Sequence, residues 1–208
     1  YHTGLAARFS DEFFPSRLAD RLPRGAGAFR EKPPAPPDLP PELTPEERPE
    51  ALRACRGMML RQEIYERDLE EFLGRAHRQR DVRLYSVETR SCAVRRLQPR
   101  GANRHAVMSV NAVEAVTYHH ELSIPAGAAV LQPDPRIAQT INLRHDALGN
   151  VEQAVTIGYP RWRQGSYPGV PDPDRIAALQ AEMHASYVET RHTDDLLLLA
   201  RDLSLIHI

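Results

Sequence analysis

Long apolar runs are missing from this 208-residue chain. The longest is Leu196–Ala200, far short of the ~20 residues a membrane-spanning helix needs. Cysteine is scarce: Cys55 and Cys92 stand alone with no CxxC pair, which excludes a disulfide framework. Both read as reduced thiols, with a single bridge between them the alternative. Glycine, at 11 residues, is too sparse for GxGxxG or GxxxxGK[ST], so the common phosphate-cradling loops are out. No serine sits in GxSxG, so the nucleophile elbow of an acyl-transfer triad is missing. Neither HExxH nor His-x-His occurs. Strong charge of either sign is absent too: 27 basic residues face 28 acidic ones, for a net charge of −1. That balance removes long-range attraction to nucleic acid or to an anionic membrane as an organising force. Aromatics make up 6%, which points to a modest core. Lysine is represented only by Lys32, a skew that fits base composition better than a binding role. No basic stretch followed by an apolar one opens the chain, so no signal peptide is expected in this segment.

Proline is what the chain has in excess. It holds 18, ten of them within the first 49 residues, against a usual share of roughly 5%. Residues 5–21, with Leu5, Phe9, Phe13, Phe14 and Leu18, predict a short helix or an extended anchor broken at Pro15. Residues 23–49 read as a linker. Pro33-Pro34-Ala35-Pro36-Pro37 and Pro40-Pro41 favour polyproline II, a stiff spacer. Thr44-Pro45-Glu46-Glu47 supplies an N-cap, an N1 proline and first-turn acids. It predicts a helix from Pro45 to about Cys55, weakened by Pro49 and stopped by Gly57.

From Met58 the apolar period becomes two. Strands are predicted at Met58–Tyr65, Tyr85–Thr89, Ala93–Gln98, Ala106–Val110, Ala115–Glu121, Ile137–His145, Val151–Tyr159 and Tyr187–Arg191. Glu66–Arg80 and Asp174–Met183 read as helices. Asp146-Ala147-Leu148-Gly149-Asn150 reads as a hairpin turn, with Gly149 free to take positive φ. Successive hairpins of this kind leave open sheet edges, which require neighbours.

Chemistry is harder to find. His119-His120-Glu121 has the composition of a metal cluster, but neighbours in a strand point to opposite faces, so two adjacent histidines do not converge on one ion. The pair reads as half-exposed strand residues. Arg95, Arg96, Arg100 and Arg104 form a basic run around the turn Gln98-Pro99-Arg100-Gly101. Arg95 and Arg96 should face opposite sides, and no interleaved aromatics make a nucleic-acid surface. The run reads as a loop pairing with parts of the protein outside this chain. No catalytic, cofactor-binding or metal-ligating residue is assigned, and no cofactor is implied.

His145–Val151 resembles the strand–turn–strand signature YDxxGN-V of RHS/YD repeats, with His145 in the tyrosine position. Further blocks are Tyr1-His2-Thr3-Gly4, Gly57-Met58-Met59-Leu60-Arg61-Gln62-Glu63-Ile64-Tyr65, and Leu97-Gln98-Pro99-Arg100-Gly101 with Asn103-Arg104-His105-Ala106-Val107. Val116-Thr117-Tyr118-His119, Asp134-Pro135-Arg136-Ile137 and Gly149-Asn150-Val151 complete them. In this order they resemble the B component of bacterial insecticidal Tc toxin complexes (TcdB type), in its middle/C-terminal segment.

The resemblance implies a mainly β fold, antiparallel hairpins of an RHS-like shell, with a proline-rich N-terminal linker and short helices in an incomplete domain. An SpvB-like region would precede Tyr1. Leu122–Gln132 and Glu66–Arg80 depart from the family as enlarged hairpin ends, where insertions are tolerated. The implied function is structural: part of a cocoon that encloses a cytotoxic effector, without enzymatic activity of its own. The implied partners are the C component, which carries the effector, and the A-component channel, with neither nucleic acid nor membrane contacted by this segment. The implied location is extracellular, after assembly in the bacterial cytoplasm. Two readings of other classes compete: a β-rich hydrolase using His119 or His120 with Glu121, and an extracellular binding module.

The expected organisation is 1–22, the end of a preceding propeller-side module; 23–57, the proline-rich linker and short helix; 58–202, the β-strip; and 203–208. The last six residues, Leu203-Ser204-Leu205-Ile206-His207-Ile208, back-translate as CTG TCT CTT ATA CAC ATC. That is the end sequence of a transposon-based sequencing adapter, so they are expected to be an artefact.

Overall fold

A computed structural model describes residues 8–25, 28–66, 82–127, 129–161 and 171–193. Six strands form one sheet in sequence order, each antiparallel to the next. They are β1 (Arg61–Tyr65), β2 (Val82–Gln98), β3 (Val107–Ile124), β4 (Arg136–His145), β5 (Val151–Gly158) and β6 (His184–Glu189). Among the described residues three short α-helices accompany them, α1 (Phe14–Arg17), α2 (Glu47–Ala54) and α3 (Pro173–Gln180), with a single 3-10 turn at Ser10–Glu12. The mainly β, antiparallel fold class expected from the sequence is the one observed. Among the described residues no helix is long and apolar enough to cross a membrane.

The long central hairpin corrects the strand boundaries. Tyr85–Thr89 and Ala93–Gln98 were expected as separate strands; they are one strand of 17 residues, roughly 55 Å long at the usual rise. Ala106–Val110 and Ala115–Glu121 likewise merge into β3. The reason is bulging. Buried positions on β2 run Leu84, then Val87 and Thr89, then Cys92 and Val94. Each change of parity lies beside a register shift, at Leu84/Ser86 and Ser91/Cys92. An unpaired residue keeps the apolar side inward while breaking the strict alternation that a sequence reading follows. Glu121, at φ 48, marks one of these irregularities.

Other expectations needed smaller corrections. Pro15 does not break the N-terminal segment; it occupies the first turn of α1, where its missing N–H has no helical partner to lose. Strand β1 starts at Arg61 rather than Met58, though the Leu60 carbonyl still accepts the Arg90 N–H at 3.1 Å. The final strand lies at His184–Glu189 rather than Tyr187–Arg191. The helix expected over Glu66–Arg80 falls, after Glu66, outside the described residues, as do residues 203–208.

One face of β1–β3 carries the core, in two clusters. Phe14, Leu84, Val87, Val116, Tyr118 and Leu131 form the first, beneath the N-terminal segment. Leu43, Ala51, Cys55, Cys92 and Val94 form the second, beneath α2. The proline-rich stretch runs between them and is not a detached spacer. Asp38 forms a parallel bridge beside Ala93, its N–H donating to the Cys92 carbonyl at 2.9 Å and its carbonyl accepting from Val94 at 2.8 Å. It thereby covers the edge of β2 beyond the reach of β1, where bare backbone would otherwise template another strand.

The 146–150 turn has the expected geometry. Gly149 takes φ 93. The Asp146 carboxylate accepts from the Leu148 and Asn150 N–H groups, both at 2.8 Å, and from the Asn150 amide at 2.8 Å. These bonds hold the Asp146 carboxyl below its ordinary range, the Asn150 side chain contributing most. A Cβ at Gly149 would also lie 3.1 Å from Asn111 Oδ1. Gly149→Val should therefore cost roughly 1–2 kcal/mol through backbone conformation alone, and Ala147→Val much less. Urea titration of full-length protein, followed by hydrogen exchange in β4 and β5, should rank them so; equal midpoints would contradict the assignment.

Candidate functional site

The sequence gives β1 the alternation Arg61-x-Glu63-x-Tyr65, which sends all three side chains to one face. That face is the covered one. Arg61 and Glu31 are each 4% exposed at the side chain, and Arg61 Nη2 donates to Glu31 Oε2 at 2.7 Å. Arg61 Nε donates to Glu63 Oε1 at 2.8 Å. The same oxygen accepts the Phe14 backbone N–H at 2.8 Å, and Glu63 Oε2 accepts the Tyr65 hydroxyl at 2.9 Å. Burial, with the Glu63 charge second, pushes the Tyr65 phenol well above its ordinary value. The Arg61 guanidinium also stacks over Phe13, 4.9 Å from the ring centroid.

His120 completes the network. Its side chain is fully buried and Nε2 lies 2.9 Å from Glu31 Oε1. A carboxylate accepts only, so Nε2 carries the proton. Nδ1 meets no partner among the described residues. The ring packs against Phe14 at 5.3 Å and Phe29 at 6.0 Å between centroids. Two carboxylates, one guanidinium and one imidazole thus join the 14–31 segment to β1 and β3. Tyr118 adds a further tie by accepting the Lys32 N–H at 2.9 Å. Arg21 ties the segment to the β3–β4 connection, donating to Pro125 at 2.8 Å and Ala129 at 3.1 Å.

A second carboxylate clamp sits at the other end of the hairpin. Thr44 and Glu47 form a reciprocal capping box: Thr44 N–H donates to Glu47 Oε2 at 3.0 Å, and Glu47 N–H to Thr44 Oγ1 at 3.3 Å. Glu47 then reaches across to the hairpin, accepting from Arg96 Nη1 at 2.8 Å and from the Arg100 N–H at 2.7 Å. Glu50 accepts the Ala106 N–H at 2.8 Å and meets His105 Nδ1 at 3.0 Å. The Arg100 and Thr44 backbone bonds, in that order, lower the Glu47 carboxyl from 4.5 to about 2.

The residues singled out in the sequence are distributed as follows. His119 is exposed and His120 buried, on opposite faces as strand geometry requires; "half-exposed" fits neither. Glu121 is exposed and pairs with Arg136. Arg95 and Arg96 do face opposite ways, but they pair within this chain. Arg95 donates to the Asp146 and Ala147 carbonyls and Arg96 to Glu47. Among the described residues no three His, Cys, Asp or Glu side chains gather to hold a metal. In the grooves lined by Phe29, Arg30, Gln139 and Tyr159, the charged groups Glu31 and Lys32 are held in pairs with Arg61, His120 and Glu114. The Glu31–Arg61–Glu63–His120 network was not anticipated. The signal for it lay in the alternation of Arg61, Glu63 and Tyr65, and of Val116, Tyr118 and His120.

The site thus defines a structural element: a β-sheet face sealed by ionic clamps. Residues 50–207 match the family described as the insecticide toxin TcdB middle/C-terminal region, and the chain belongs to that family. Among solved structures, the Photorhabdus luminescens Tc holotoxin pore is similar at 24% identity and TM-score 0.49, covering 94% of this chain. The TcdB2-TccC3 structure is similar at 23% identity and TM-score 0.37, covering 62% of this chain. The chain spans only 9% and 7% of those two chains. No curated protein matches it.

Two predictions follow from the clamps. Arg61→Ala leaves Glu31 and Glu63 buried without a counter-ion, which costs about 3–5 kcal/mol, whereas His119→Ala should stay within about 0.5 kcal/mol. Urea titration read by hydrogen exchange of peptides 8–25 and 82–98 measures both, since a large multidomain chain does not unfold in two states. A small effect of Arg61→Ala would contradict the network. For Glu47 the folded-state pKa is depressed, so its contribution is present above about 4.5 and is lost as pH falls toward about 2. Glu47→Gln should flatten the loss of α2 protection across that window. A wild-type slope in the variant would show that the carboxylate is not responsible.

Proposed function

We propose that this chain is a wall segment of a Tc toxin B component, helping to enclose a cytotoxic effector and contributing no chemistry to it. The observation that carries this reading is the sheet itself in a chain of the TcdB middle/C-terminal family. Among the described residues six strands run in sequence order, one face of β1–β3 is sealed by apolar clusters and ionic clamps, and the opposite face is uncovered. That uncovered face bears Arg83, Arg90, His119 and Glu121 with Ile64 and Tyr85 among them. A sheet suits a wall because neighbouring strands satisfy its backbone polar groups. Among the described residues β6 pairs only with β5, and an unpaired edge of that kind suits continuation of the sheet.

On this reading the partners are the C component, whose effector is enclosed, and the A-component channel, both met through the full-length protein. The location is extracellular once the complex is assembled. The divisions 1–22, 23–57 and 58–202 are proposed as sequence modules, and 203–208 as an adapter artefact. Packing of Phe14, Glu31 and Leu43 onto the sheet supports treating the first three as one folding unit.

The hydrolase reading has less behind it, because His119 and His120 diverge and Glu121 turns to Arg136. Full-length protein carrying His119→Ala, His120→Ala or Glu121→Ala should assemble with its C component. Delivery should fall only where assembled yield or stability falls, and His120→Ala should be the most affected, by about 1–3 kcal/mol. Delivery lost at normal yield and normal stability would mean that a chemical step runs here.

A further inference from the structure

The two cysteines lie 37 residues apart in sequence, on different elements, yet Cys92 Sγ is 3.8 Å from Cys55 Sγ. Both are buried. Cys55 occupies the C-terminal end of α2, its thiol turned to the Ala51 carbonyl at 3.6 Å. Cys92 stands on β2, inward-facing beside Val94. A disulfide has an S–S length of about 2.05 Å, so the sulfurs need to approach by under 2 Å.

We propose that Cys55 and Cys92 are a reversible disulfide site, which staples α2 to β2 when the protein meets a small-molecule disulfide. The step is an exchange. The Cys92 thiol loses its proton and attacks one sulfur of the external disulfide RSSR, releasing the first RSH. The Cys55 thiol then attacks the Cys92 sulfur of the mixed disulfide, releasing the second RSH. Two electrons and two protons pass from the protein dithiol to RSSR, which ends as two thiols.

The order of attack follows from access. A small pocket lined by Pro37, Met58, Leu60 and Cys92 reaches Cys92, and Cys55 does not line it. The surroundings are largely apolar: Arg90 lines that pocket but is paired with Glu88 at 2.6 Å, and no basic side chain belongs to the Cys55–Cys92 cluster. Burial, with the neighbouring Cys92 second, pushes the Cys55 thiol up to about 12, and burial raises Cys92 as well. Such thiols exchange slowly at neutral pH. The pair therefore behaves as a structural staple with a slow closing step, unlike a redox catalyst's dithiol. Closure would tether the helix whose Glu47 and Glu50 hold the 99–106 loop. It would also close a chain loop containing β1, which restricts the unfolded state.

The test uses native full-length protein equilibrated at pH 8 with excess oxidised glutathione, then alkylated in denaturant and digested with trypsin. The expected product joins peptide Ala54–Arg56 to peptide Ser91–Arg95. It should be reversed by dithiothreitol and accompanied by about tenfold slower amide exchange across residues 47–56. Cys55→Ala should leave Cys92 carrying glutathione, and Cys92→Ala should leave Cys55 a thiol. Recovery of both cysteines as alkylated thiols would overturn the proposal. So would glutathione on both without linkage, or a linked product formed only after unfolding in urea.

Discussion

A guanidinium buried at Arg61 is the constraint around which the covered face is organised. Removing a charge from water costs several kcal/mol, and only close counter-charges with their remaining hydrogen bonds filled offset it. Glu31 and Glu63 supply those charges. Their other oxygens are taken by His120 and Tyr65, and the Phe14 N–H shares Glu63 Oε1 with Arg61. Because Glu31 and Phe14 belong to the N-terminal segment, Arg61 cannot be satisfied unless that segment lies on the sheet. The exposed pair Lys32–Glu114, 2.7 Å apart, belongs to the class of surface bridges worth about 0–1 kcal/mol. It trims the same contact without deciding it.

The apolar clusters follow from this placement. Seating Phe14 over Leu84, Val87 and Val116 buries an aromatic side chain worth about 1.5–3 kcal/mol by area alone. At the far end of the hairpin α2 plays the corresponding part through Glu47 and Glu50, with Leu43, Ala51 and Val94 beneath it. Between the two, Asp38 continues the backbone pairing of β2. The β2–β3 hairpin is thereby held at both ends and along its edge. A hairpin this long would otherwise be free to slip in register. Rigidity on one face leaves the other available, which is the property a wall requires.

Much of the architecture could be read from the chain. Gly149 and its Asp/Asn flanks marked the β4–β5 turn, Thr44-Pro45 marked the helix start, and Gly57 at φ 90 marked its end. Alternation at Ile141, Leu143 and His145 located β4 even though its register against β5 shifts at Asn142/Arg144 and Arg144/His145; the pairing is regular from Ala138 to Asn142. Where bulges interrupt the period, as at Leu84/Ser86 and Ser91/Cys92, period-two reasoning cut one strand into two. The ionic network escaped for a different reason. Glu31 lies 30 residues from Arg61 and 89 from His120, and no local pattern reports which distant carboxylate closes a pair. Arg95 and Arg96 were assigned to absent partners on the same ground, although their acceptors lie in this chain.

The covered face can be tested directly by amide hydrogen exchange at single-residue resolution on the full-length protein near neutral pH. The Phe14 amide donates to Glu63, the Lys32 amide to Tyr118 and the Asp38 amide to Cys92. The account predicts that these three amides, in a segment with little secondary structure, exchange as slowly as those at the centre of β2. Exchange of all three at the rate of an unstructured chain would mean that the N-terminal segment is not seated on the sheet, and the account of the sealed face would fail.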